Sequence, residues 1–130
     1  MTIVTARNGE GNYETILSTG TKTLISDEPL KDGGNDKGPS PQELLAASLA
    51  SCTSITLRMY ANRKKWILDD VLVNVEIESD EKHPVLSIIV AVEIKGNFDS
   101  VQRVRLGQIA ELCPVHKALR QSIPIQTKML

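Results

Sequence analysis

From residue 71 to 79 apolar and polar positions alternate, with Val71, Val73, Val75 and Ile77 set against Leu72, Asn74, Glu76 and Glu78. A period of two is the mark of a strand buried on one face only. Residues 86–95 read as a second strand, with His83-Pro84 in the turn between and Gly96-Asn97 closing it, which predicts an antiparallel pair. Nearer the N-terminus, residues 2–7, 12–18 and 21–26 mix Thr, Ile and Val with polar neighbours. Gly-containing residues 8–11 and the turn Thr19-Gly20 separate them, so a three-stranded meander is expected. Residues 123–129 read as a closing strand.

The pattern changes after residue 39. Residues 27–39 carry Gly and Pro at a density no strand or helix sustains, and a long ordered loop of this kind is either functional or a connector. Ser40 then offers an N-cap, Pro41 suits the first helical position, and Glu43 completes a capping box. Nothing interrupts the helix until about residue 65, giving roughly 25 residues and ~37 Å. Its first half, from Leu44 to Cys52, bears no charge on any face, so it belongs in a core that one short chain could hardly supply. Its small residues admit another backbone closely, and the expectation is a central helix shared within a homodimer. Ser100 is read as the cap of a second amphipathic helix running to about Leu112. Cys113-Pro114 ends it, because Pro114 has no N–H to continue the ladder, and a short helix over 114–121 follows. The sum is one α+β domain spanning 1–130.

Composition removes several classes of function. Fifteen basic and sixteen acidic residues leave a formal net charge of −1, which gives no electrostatic hold on phosphate backbones or anionic lipid. Tyr13, Tyr60, Trp66 and Phe98 are the only aromatics and are scattered, so base stacking is not expected either. No basic-then-apolar leader opens the chain and no run of eighteen apolar residues occurs, so neither a signal peptide nor a membrane span is expected. Two cysteines without a secretory leader fit a reducing compartment, and the cytoplasm is the expected address.

Those two cysteines are the candidate chemistry. Cys52 lies within the long helix, where burial ordinarily makes a thiol inert. Cys113 stands before Pro114 at a helix start, where unpaired N–H groups and the helix dipole favour a thiolate, with His116 one turn on. If the two meet, one can be oxidised to a sulfenic acid and the other can condense with it to a disulfide, without metal or organic cofactor. Glu43 is either the capping-box carboxylate or a group that orients a catalytic neighbour, and Gln42 beside it could do the same. A zinc set of Cys113, His116, Cys52 and His83 has the right ligand types, but only one closely spaced pair.

The stretch from Gly38 to Thr53 (GPSPQELLAASLASCT) and that from Ile109 to Leu119 (IAELCPVHKAL) resemble the OsmC/Ohr family. Asp27-Glu28-Pro29, Gly33-Gly34, Arg58-Met59-Tyr60-Ala61 and Lys65-Trp66 extend the resemblance over nearly the whole chain, toward the broad OsmC-like subgroup. The resemblance implies an intertwined homodimer, with long central helices wrapped by sheets and two sites at the subunit interface. It implies a thiol peroxidase for organic hydroperoxides, with Cys52 as the attacking thiol and Cys113 as the resolving one. Re-reduction would come from small dithiols or lipoylated proteins. Two positions depart from the family's best-studied enzymes. Their glutamate after the helix-start proline is Gln42 here, with glutamate at Glu43. The arginine they draw from the N-terminal strand region has no match, since Arg7 is differently spaced from the Thr19-Gly20 turn, while Arg58 and Arg63 lie beyond Cys52 on its own helix. A peroxidase is therefore the first expectation. A non-catalytic relative that binds a small ligand or senses redox state is the alternative.

Overall fold

The alternation that predicts a half-buried strand is realised in full. In a computed structural model describing residues 1–130, Val71, Val73, Val75 and Ile77 of β4 (Asp70–Glu78) are half-buried while their neighbours are exposed. β4 pairs antiparallel with β5 (Ser87–Lys95), with Val71 opposite Ile94, Val73 opposite Val92 and Val75 opposite Val90. The first meander also forms, as β1 (Thr5–Asn8), β2 (Thr15–Thr19) and β3 (Lys22–Ser26) in that order. Its first strand begins later than the Thr/Ile/Val content suggests, and residues 1–4 are exposed and extend beyond the pairing that starts at Thr5 with Ser18. The fold is α+β, with two separate antiparallel sheets and one long helix.

The chain divides into two compact units, Met1–Leu45 and Ala46–Leu130. In the first, the Gly/Pro-rich stretch after β3 is an ordered loop built around one carboxylate. Asp27 is 2% exposed, and its oxygens accept the backbone N–H groups of Glu28, Asn35 and Lys37 at 2.8, 3.2 and 3.2 Å. The Ser26 hydroxyl and the Asp27 N–H both donate to the Pro39 carbonyl, returning the loop to the end of β3. Gly38 is required here by contact, because a Cβ would lie 2.0 Å from the Ile25 carbonyl oxygen. The loop delivers the chain to Ser40, where the predicted capping box closes: Ser40 Oγ accepts from the Glu43 N–H, and Glu43 Oε1 accepts from the Ser40 N–H, each at 3.2 Å.

α1 (Pro41–Lys64) runs on into the second unit. There Leu57 and Tyr60 pack with Leu106, Ile109 and Ala110 of α2 (Ser100–Ala110), while Trp66, Val71, Ile94 and Phe98 close the cluster. Tyr60 meets Trp66 edge-on at 5.5 Å and takes a hydrogen bond from Arg105 Nε at 3.1 Å. The opposite face of α1, through Ser48, Ser51, Ile55, Met59 and Asn62, is exposed, with Met59 at 67%. One chain thus leaves its central helix covered on one side only. By length and composition alone this helix passes the test for a membrane span, because Ala, Leu and Ile raise its mean hydropathy while uncharged Ser and Thr lower it only slightly and break up any apolar run. Its buried side packs within the protein's own core.

Two expectations are corrected. The cap of α2 is Asp99, not Ser100: Asp99 accepts from the Gln102 N–H at 2.7 Å while Gln102 Oε1 accepts from the Asp99 N–H at 3.0 Å. A carboxylate with glutamine three residues on forms the complete box, and Ser100 becomes the first helical residue. The closing strand over 123–129 does not form, and these residues are exposed and irregular. A strand exists only against a partner, and no edge in the chain pairs with this segment, in which Pro124 also lacks a donor.

Candidate dithiol site

The site begins where α2 stops. Proline at the first position of α3 (Pro114–Leu119) holds Cys113 in an extended conformation, φ −60° and ψ 138°, so that Cys113 becomes the N-cap. Its sulfur occupies the place that serine or aspartate usually fills and accepts the His116 N–H at 3.2 Å. Cys113 is fully buried. Against it lies Thr53 of α1, also fully buried, whose hydroxyl donates to Cys113 Sγ at 3.8 Å. The neighbouring residue, Cys52, hydrogen-bonds to the same sulfur. Cys52 and Cys113, apart in sequence, are therefore brought close enough for their thiols to interact, and both are free.

The two sulfurs are electrostatically unequal. Burial pushes the Cys52 thiol up; the Val115 N–H pulls part of this back, while the hydrogen bond to Cys113 and the repulsion of that sulfur's charge add to the rise and Thr56 offsets it least. Burial raises Cys113 as well, but the hydrogen bonds it receives outweigh this. Cys52, the His116 N–H, Thr53 and the Val115 N–H together hold it below the ordinary thiol value. The first proton thus leaves the pair readily, with the negative charge centred on Cys113 and Cys52 donating to it. Access runs the other way, since Cys52 is half-buried and Cys113 is sealed.

His116 contributes through both its backbone and its ring. The backbone N–H caps Cys113, while the ring lines two adjoining grooves of about 450 and 400 Å³. The larger is walled by Leu49, Leu86, Ile88, Val90 and Leu119, with Arg120 at its edge. The remaining predicted residues lie elsewhere. Glu43 is engaged in its own cap, and Gln42 is exposed on the first turn of α1. His83 binds Asp80 at 3.0 Å in the β4–β5 connection, and no group of three His, Cys, Asp or Glu residues is assembled for a metal. Arg58 donates to the Leu68 carbonyl, Arg63 stands 5.3 Å from the centre of the Tyr60 ring, and Arg7 is exposed on β1. Thr53 and Val115 are neighbours of the sulfurs that motif reading passes over. The one available signal is that Thr53 directly follows Cys52 in an uncharged helical stretch.

An α+β chain with one long helix carrying a thiol against a second thiol at a helix start defines a dithiol protein. The chain belongs to the OsmC-like protein family, whose sequence model matches residues 34–128. It is 30% identical over 102 residues to organic hydroperoxide resistance protein-like 1 of Staphylococcus saprophyticus, covering 75% of this chain and 72% of that protein. Among solved structures it is similar to an OsmC-like protein from Mycoplasma pneumoniae, with TM-score 0.79, 20% identity, and 92% and 87% of the two chains covered. It is also similar to the organic hydroperoxide resistance protein OhrB of Bacillus subtilis, with TM-score 0.62, 25% identity, and 92% and 90% covered.

Proposed function

We propose that the protein is a thiol-dependent peroxidase that reduces organic hydroperoxides, with Cys52 attacking and Cys113 resolving. The observation that carries this reading is the hydrogen-bonded pair itself, one thiol accessible and the other sealed. Proton exchange within the pair moves the negative charge to Cys52, the sulfur a substrate can reach. Its attack on the terminal peroxide oxygen forms an S–O bond, breaks the O–O bond and releases an alkoxide that is protonated to the alcohol. Cys113 then attacks the sulfenic sulfur, the disulfide forms and water leaves. The Leu, Ile and Val side chains in the wall of the groove beside His116 support an alkyl hydroperoxide over hydrogen peroxide, because only the former has a tail to bury. The names of the Staphylococcus saprophyticus and Bacillus subtilis relatives support the same substrate class.

The open face of α1, with Ile55 and Met59 more than half exposed, supports a homodimer in which a second copy covers it. A small dithiol or a lipoylated protein returns the disulfide to two thiols, and a cycle that must be re-reduced in this way suits the cytoplasm. One observation favours a second reading. With Cys52 raised and Arg58 and Arg63 engaged elsewhere, a non-catalytic relative that binds a small ligand or senses redox state would have the same site.

Consumption of cumene hydroperoxide by the reduced protein with a dithiol donor tests the choice. Turnover that disappears in Cys52→Ser, with loss of two hydrogens in intact mass after one equivalent of peroxide, is the expected result. No turnover and no mass change in the unmodified protein would leave the second reading.

A further inference from the structure

The ring of His116 carries a polar atom that the fold does not use: Nδ1 is buried and has no hydrogen-bond partner. A buried polar atom left unpaired costs about 1–3 kcal/mol, so such atoms in native proteins call for an explanation. The surroundings of this one point to the reaction. The same residue's N–H lies 3.2 Å from Cys113 Sγ, so the ring belongs to the residue that caps this sulfur. The ring also lines both grooves, and Leu49, which shares the larger with it, lies one helical turn before Cys52.

Building on the peroxidase reading, we infer that His116 is a catalytic proton carrier, taking the proton released by the cysteine pair and returning it to the oxygen that departs from the peroxide. In the first half the thiol proton passes to the imidazole, leaving thiolate and imidazolium. In the second, S–O bond formation breaks the O–O bond and the imidazolium gives its proton to the alkoxide. The sulfur is oxidised by two electrons, the peroxide is reduced to an alcohol, and the imidazole is regenerated neutral. An alkoxide is a strongly basic leaving group, so a proton delivered during departure matters most for alkyl hydroperoxides. General acid catalysis of this kind contributes about 10²–10⁴-fold.

Leaving-group dependence isolates that role. Single-turnover oxidation of Cys52 would be followed in the full chain and in His116→Gln, with cumene hydroperoxide and with perbenzoic acid, whose carboxylate departs without a proton. The expected result is a rate loss of about 100-fold or more with cumene hydroperoxide and less than about threefold with perbenzoic acid. Equal losses with both oxidants would confine His116 to steps before O–O cleavage and overturn the return of the proton, and no loss with cumene hydroperoxide would overturn the inference outright. His116→Ala with added imidazole gives a second test: recovery of the cumene hydroperoxide rate is expected, and a folded variant that free imidazole leaves unimproved counts against the proton role. Failure of the unmodified chain to oxidise Cys52 with either reagent would instead sink the peroxidase reading, and the inference with it.

Discussion

Asp27 and Cys113 are two buried acceptors that capture backbone N–H groups, and they do opposite work. Asp27 uses both carboxylate oxygens on three N–H donors from its own loop. Such a carboxylate is saturated, and its consequence is a fixed chain path from β3 to α1. Cys113 is as deeply buried, but its one sulfur takes the His116 N–H, a long bond from Thr53 and the thiol of Cys52. Its donors are weaker, and one of them is the group with which it can form a covalent bond. The same device, a negative acceptor held by local N–H groups, stores order when the acceptor is an oxyanion and reactivity when it is a sulfur.

Replacing the sulfur by oxygen separates those roles most sharply. Cys113→Ser keeps an acceptor at the cap but removes the thiol proposed to resolve, so on the peroxidase reading turnover falls by at least about 100-fold while Cys52 accumulates as a sulfenic acid that dimedone traps. If Cys52 stays unoxidised in this variant, Cys113 is itself the attacking thiol. Asp27→Ala does the converse. Three N–H groups lose their acceptor, unfolding free energy falls by about 3 kcal/mol in a denaturant titration, and the loop becomes a site of proteolysis. Sulfenic acid formation by whatever protein remains folded stays unchanged.

Thiolate absorbance tests the weaker donors. Because Cys113 is lowered and Cys52 raised, deprotonation proceeds in two steps on either side of the ordinary thiol value. The signs give opposite slopes of stability. Lowered Cys113 makes the fold more stable as pH rises from its folded value toward the unfolded one, and that gain is lost as pH falls through the folded value. Raised Cys52 contributes stability below the ordinary thiol value that is lost as pH rises through its folded value. Reduced protein is thus most stable near the ordinary thiol value. Thr53→Val moves the first step to higher pH and slows alkylation of Cys52 at neutral pH by less than about tenfold. The smallest effect belongs to Glu43→Gln, since glutamine also closes a capping box: stability changes by less than about 1 kcal/mol and peroxide turnover does not change. A collapse of turnover there would make Glu43 a catalytic carboxylate.

Much of this arrangement is legible in the chain because it is local. Ser40 to Glu43 form a capping box by sequence rule, β4 alternates by sequence rule, and Cys113-Pro114 announces a helix start. The pairing of Cys52 with Cys113 was conditional on the sequence, since contact between distant residues depends on packing rather than spacing. Thr53 was overlooked because a helical threonine is usually a bland residue, and only a buried neighbour makes it a donor. Asp27 reads as one more polar loop residue until its three donors fold back on it. The segment over 123–129 misled for the opposite reason: its alternation is genuine, but a strand needs a partner outside itself, and no pattern within seven residues supplies one.

The capping sulfur ties two properties that are usually measured separately. Cys113 closes the N-terminus of α3 as an acceptor, and an anionic sulfur does so better than a sulfur in a disulfide. Oxidation therefore loosens the end of a six-residue helix, and by reciprocity whatever steadies that helix makes the dithiol harder to oxidise. A substitution in α3 that never touches either cysteine, on a face remote from the groove, will shift the reduction potential of the pair and the hydrogen-exchange protection of the His116 amide together.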